Sequence, residues 1–169
     1  KEFILSLYEQ SLWLSKKIEY HLKGNHLIAN AKALIFAGIY FKENNSSYLL
    51  GLGVNILIKE LEVQILNNGA HYERSPMYHV IITEDLLDII SLYKKYNLKI
   101  DDRIVLTAKK MIKWINFISH SDNSLRFFGD TCYKIARSVE DINYYGKKIL
   151  NINLEKNNKI INQVDAAGY

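Results

Sequence analysis

The chain has 169 residues, 49% hydrophobic and 24% charged, with 22 basic and 18 acidic side chains and a formal net charge of +4. One proline and 8 glycines are too few turn-formers for an all-β fold, so one helical domain is expected. The lone Cys132 excludes an intrachain disulfide and reads as a small buried hydrophobe, and the scattered charge carries no nucleic-acid-binding motif.

No apolar run is long enough to span a bilayer, and no signal peptide is visible. The first helix is predicted from Phe3 to about Tyr20, where Ile4, Leu7, Tyr8, Leu14 and Ile18 recur at helical steps, and Gly24 stops it. Asn25 then reads as the N-cap of a second helix, His26 to about Phe41. Its run of Leu27, Ala29, Ala31, Ala33, Leu34, Ile35, Phe36, Ala37, Gly38 and Ile39 is apolar nearly all round, so this helix should be wedged between neighbours.

A polar turn from Lys42 leads to a third helix, about Ser47 to Leu66, with Lys59, Glu60, Glu62 and Gln64 as its expected wet face. Asn67, Asn68 and Gly69 close it. Ser75 followed by Pro76 is a helix-start signal, a capping hydroxyl before a residue with no N–H to satisfy, and the fourth helix runs to about Tyr96. Tyr78 therefore lies in its first turn, close to the positive end of the helix dipole.

The fifth helix is predicted over Asp102 to about Ser119, followed by a long irregular loop from His120 to Arg137 with Phe128, Gly129 and Asp130 at its centre. Ser138 with Asp141 resembles a capping box and opens a sixth helix to about Leu150. The tail, 151–169, alternates briefly at Ile160, Ile161 and Val164, like the approach to a strand. Short turns make successive helices antiparallel, so helices two, four and six should point the same way and gather Asn25, Tyr78 and the loop before Ser138 at one edge. Free N–H groups converging there form an anion-receptive surface.

Two stretches, Gly24-Asn-His-Leu-Ile-Ala-Asn-Ala-Lys-Ala-Leu-Ile-Phe-Ala-Gly38 and Gly69-Ala-His-Tyr-Glu-Arg-Ser-Pro-Met-Tyr-His79, resemble the helical domain of heparinase II/III-like polysaccharide lyases and related alginate lyases. The Phe128-Gly-Asp130 loop and the closing Asp165-Ala-Ala-Gly-Tyr169 are similar to that family's path into a C-terminal β-sandwich. The resemblance implies an all-α, incomplete α/α toroid of antiparallel helix pairs over 1–150, truncated before the β-sandwich, with 151–169 as linker and start of that domain. Many relatives carry two glycines before the histidine where this chain has Gly69 and Ala70.

The implied activity is β-elimination on a uronate-containing acidic polysaccharide, such as heparan sulfate, another glycosaminoglycan or alginate, with no cofactor and no metal. Periplasmic or secreted bacterial localisation goes with it. By resemblance, Asn25 hydrogen-bonds the uronate carboxylate, Tyr78 moves protons, and His26 is a second carboxylate contact or base. The implied partners are the polysaccharide and the protein's own β-sandwich domain, which in the family brings a further histidine.

Around these sit Arg74, Tyr72, Glu73 and His79 as substrate-binding candidates. Arg74 either binds a substrate carboxylate or sulfate or, the favoured reading, pairs with Glu73. Glu73 and His71 suit loop-shaping hydrogen bonds, and His79 is either a substrate contact or a satisfied, partly buried histidine. A free phenol titrates near pH 10, so a basic tyrosine calls for a nearby cation or helix end. Two other classes stay open: a glycoside hydrolase using a carboxylate pair from Glu73, Glu84, Asp85 and Asp130, and a non-catalytic polysaccharide-binding module.

Overall fold

A computed structural model describes residues 2–41 and 43–153. Among them are six helices and no strand: α1 (Glu2–Lys16), α2 (Gly24–Tyr40), α3 (Ser46–Gln64), α4 (Pro76–Lys95), α5 (Asp102–Ile118) and α6 (Val139–Leu150). The tail expected to approach a strand, with Ile160, Ile161 and Val164, lies outside the described residues.

The α1 helix ends at Lys16, four residues before the predicted stop, because a tertiary contact takes over. Asn30 on α2 accepts the Glu19 N–H at 3.1 Å and donates to the Glu19 carboxylate at 2.8 Å, which holds that segment out of the helix. Its neighbour α2 is, as expected, largely buried, with Ile28, Ala31, Leu34 and Ile35 inaccessible to solvent. Two glycines set its distance from α3. A Cβ on Gly38 would lie 2.5 Å from the Leu50 nitrogen, and one on Gly53 would lie 2.9 Å from the Ala31 oxygen.

Helix directions follow from which ends meet. Gln64 at the end of α3 bonds Gly24 at the start of α2, so those two are antiparallel. Asn25 at the start of α2 bonds Glu73 just before α4, Arg137 just before α6 pairs with Glu84 in the first half of α4, and Lys94 at the end of α4 donates to Ile149 O at the end of α6. So α2, α4 and α6 run together, with α2 and α4 bridged at mid-length by Lys32 with Asp85 and Asp88. Between α4 and α6, α5 is antiparallel to both: His79 near the start of α4 meets Met111 in the second half of α5, and Asn116 exchanges amide bonds with Asn143. This is the arc of antiparallel pairs expected of an incomplete α/α toroid. One apolar core joins α2, α3, α4, α5 and α6, and a smaller one of Ala70, Trp114 and Ile118 lies under the loop before α4.

Three local expectations need correction. Glu60 and Gln64 are not on a wet face; Glu60 is 9% exposed and Gln64 1%, turned inward where they bond each other and Gln64 also meets Gly24 on α2 and His71 in the loop beyond α3. Cys132 is exposed, not buried, because it sits in the irregular segment between α5 and α6. Asn25 is not an N-cap. The cap position of α2 falls to Lys23, which makes no side-chain capping bond, and the helix already includes Gly24.

Candidate functional site

The loop from 65 to 75 is folded back on α3 by backbone bonds. Leu66 N–H donates to Ala70 O at 2.9 Å, Gly69 N–H to Leu66 O at 2.8 Å, and Tyr72 N–H to Gln64 O at 2.9 Å. Gly69 has φ +94 and lies so close to α5 that a Cβ would meet the Lys110 oxygen at 2.7 Å, so a side chain there fails on both backbone strain and space. Ala70 beside it is fully buried.

This turn carries Glu73 to the start of α2, where Glu73 Oε1 accepts the backbone N–H of Asn25 at 3.3 Å. A carboxylate from 48 residues away thus does the capping expected of a local side chain, taking up a free N–H at the positive end of the helix. The loop-shaping role expected of Glu73 is therefore what the geometry shows. The Asn25 side chain is half-buried and makes no hydrogen bond among the described residues, which leaves its amide available. Tyr72, 38% exposed, packs its ring edge-on to His71 with centroids 5.0 Å apart. Partial burial first, then the Glu73 and Glu60 carboxylates, hold its phenol above the ordinary value, partly offset by a backbone hydrogen bond at Gly24.

Ser75 caps α4 as predicted, its Oγ accepting the Tyr78 N–H at 3.3 Å, with Pro76 in the first helical position. The loop before α6 locks this start from the other side. Ser75 Oγ donates to Asp130 O at 3.2 Å, Thr131 Oγ1 accepts the Met77 N–H at 3.4 Å, and Gly129 lies against the Arg74 carbonyl. The first turn of α4 is thereby fixed, with the half-buried Tyr78 phenol unbonded among the described residues. Arg74 sits in the left-handed region, φ 55, and is exposed. The favoured Arg74–Glu73 pairing is absent among the described residues, since Glu73 has turned to α2.

His26 is on the outer side of the same helix start, exposed, with Nδ1 3.8 Å from the Glu19 carboxylate. His79 lies beneath the site, 2% exposed. Its Nδ1 accepts the His71 N–H at 3.2 Å and its Nε2 donates to Met111 O at 2.9 Å. Of the two roles the sequence leaves open for His79, this geometry is that of the satisfied, buried histidine. Burial lowers its pKa to about 4, against a smaller upward pull from the Met111 carbonyl. His71, held through Nε2 by Gln64 at 2.9 Å, is pushed down to about 3 by burial and then by His79.

Three of the four carboxylates considered for a hydrolase are engaged elsewhere, Glu84 with Arg137, Asp85 with Lys32, and Glu73 with α2, while the exposed Asp130 is held through its backbone oxygen by Ser75. Among the described residues no group of three His, Cys, Asp or Glu side chains is placed to hold a metal ion, and no helix is long and apolar enough to cross a membrane. Sequence reasoning missed Gln64, because a glutamine four residues after a glutamate on an amphipathic helix has no signal that distinguishes inward from outward.

An arc of antiparallel helices that brings the starts of α2 and α4 under one loop is the architecture of the heparinase helical domain. The model of the family described as Heparinase II/III N-terminus matches residues 1–157, and the chain belongs to that family. It is 32% identical over 133 residues to the heparin-sulfate lyase of Pedobacter heparinus, covering 77% of this chain and 20% of that protein. To the heparin-sulfate lyase of Bacteroides stercoris it is 29% identical over 130 residues, 75% of this chain and 19% of that one. A crystal structure of heparinase III superposes with a TM-score of 0.71 at 27% identity, over 87% of this chain and 23% of that one. A mutant heparan sulfate lyase from Pedobacter heparinus gives 0.66 at 31% identity, over 76% and 20%. The chain spans about a fifth of the length of the curated relatives it matches.

Proposed function

We propose that this chain supplies the helical part of the active site of a polysaccharide lyase that cleaves a uronate-containing glycosaminoglycan by β-elimination. The carrying observation is the Glu73–Asn25 hydrogen bond, which joins the two family-like stretches at the common end of α2 and α4. The relatives named as heparin-sulfate lyases support the substrate class.

In this reading the C5 proton leaves, its electron pair forms the C4–C5 double bond, and the C4–O4 bond breaks with O4 taking a proton. Removing the C5 proton builds negative charge on the neighbouring carboxylate, and the Asn25 amide donates a hydrogen bond to it. Tyr78, as base, takes the C5 proton on its phenol oxygen and then, as acid, gives that proton to the departing O4. His26 adds a second carboxylate contact or base at the same helix start. Arg74, without an ion pair among the described residues, binds a substrate carboxylate or sulfate, and Tyr72 and Glu73 form the wall between it and Asn25. His79 supports the loop from below. Such polymers lie outside the cytoplasm, so a periplasmic or secreted protein is the matching localisation.

The test uses the protein at its full natural length, incubated separately with heparan sulfate, heparin, chondroitin sulfate, hyaluronan and alginate. A lyase product carries a conjugated double bond, so near-ultraviolet absorbance should rise with one of the glycosaminoglycans. Reducing ends appearing without that absorbance would mean hydrolysis, and binding without either would mean a non-catalytic module.

A further inference from the structure

Gln64 closes α3, is 1% exposed, and has no part in the chemistry just described. Its side-chain nitrogen donates to Gly24 O at 2.8 Å and to Glu60 Oε2 at 2.8 Å. With the nitrogen facing two acceptors, Oε1 faces His71, and His71 Nε2 carries the proton between them at 2.9 Å. The backbone oxygen of Gln64 takes the Tyr72 N–H at 2.9 Å. One residue therefore grips the peptide immediately before Asn25 and the two residues immediately before Glu73.

We infer that Gln64 is a positioning residue for the elimination, clasping the start of α2 to the loop that leads into α4 so that the Asn25 amide keeps its place relative to Tyr78. This rests on the lyase reading above. Only an amide of this length answers all three partners. Glutamate keeps an acceptor for His71 but sets an oxygen against the Gly24 carbonyl and the Glu60 carboxylate. Methionine fills the volume but leaves His71 Nε2 and the Glu60 carboxylate without this partner and removes the side-chain donor to Gly24 O. The Glu73–Asn25 bond and the hydrogen bond between the Tyr72 phenol and the Gly24 backbone close the same two segments from the solvent side, so loss of Gln64 leaves them joined by these more exposed contacts.

Gln64→Met and Gln64→Glu are made in the full-length protein, and two readouts are taken. In hydrogen exchange, Gln64→Met should speed segments 22–27 and 71–75 together by about tenfold, the equivalent of roughly one buried hydrogen bond, with the interior of α4 unchanged. Gln64→Glu, which retains the bond from His71, should loosen 22–27 more than 71–75. In steady-state kinetics kcat should fall about 100-fold for a displacement near 1 Å, with KM little changed.

In an Asn25→Ala background the same substitution should add little, because a residue acting through Asn25 has nothing left to position. Unchanged exchange in either segment, or losses that simply multiply with those of Asn25→Ala, overturns the inference. If the parent protein forms no unsaturated product from any glycosaminoglycan, the lyase reading fails instead. Exchange in the two segments then decides by itself whether Gln64 is the clasp.

Discussion

His79 accepts the backbone N–H of His71 on its Nδ1, 3.2 Å away, which holds the buried His79 ring as a neutral acceptor and fixes the loop residue His71 above it. His71 Nδ1 is itself buried without a hydrogen-bond partner among the described residues, an atom on which a proton would be poorly accommodated.

The consequence is a pH dependence of stability. Both folded-state pKa values, about 3 for His71 and about 4 for His79, lie below the ordinary histidine value of 6.5. The unfolded chain therefore binds more protons than the native one below pH 6.5. Stability from these groups is complete above that pH and falls as pH drops toward the folded values, by about 1.4 kcal/mol per histidine per pH unit. Melting temperature followed from pH 7.5 to 4.5 should be flat above 6.5 and decline below it, and His79→Gln should flatten the decline. A full-length protein whose melting is level down to pH 4.5 would contradict this account.

Asn25→Ala and Glu73→Ala should separate catalysis from capping. Because Glu73, not Asn25, takes up the free N–H at the start of α2, Asn25→Ala should change stability by less than about 0.5 kcal/mol. Its turnover should nonetheless fall about 100-fold or more, as for loss of a donor to developing negative charge. Glu73→Ala should lose about 1 kcal/mol. Urea unfolding and initial rates measured on the same preparations check both.

Tyr78→Phe should abolish product formation and leave melting unchanged, since the phenol has no hydrogen bond to lose among the described residues. Retained turnover in this variant removes Tyr78 from the mechanism.

Gly24→Ala should damage stability and rate together. Its φ is +55, and an added Cβ would stand 2.0 Å from Glu73 Oε1, so the substitution strains the backbone and displaces the carboxylate that caps α2. A loss of about 1–3 kcal/mol is expected in urea unfolding.

Much of this domain was written locally. Ser75 with Pro76 and Ser138 with Asp141 announce the starts of α4 and α6, because a cap needs only a hydroxyl and a free N–H a few residues apart. The apolar run from Leu27 to Ile39 likewise announced a helix buried between neighbours, and the periodicity of the rest gave the all-α class. The two stretches that carry Asn25 and Tyr78 were also visible as strings of residue types, which is why the family could be read from them.

What only the tertiary structure decided was who satisfies whom across the chain. Glu73 displaced Asn25 from the capping role, Asn30 ended α1 early by binding Glu19, and Gln64 turned inward to meet Gly24 and His71. Each outcome turns on a polar group choosing between water and a partner tens of residues away. Local spacing cannot settle that choice, because burial makes an unmet hydrogen bond costly only after the helices have packed.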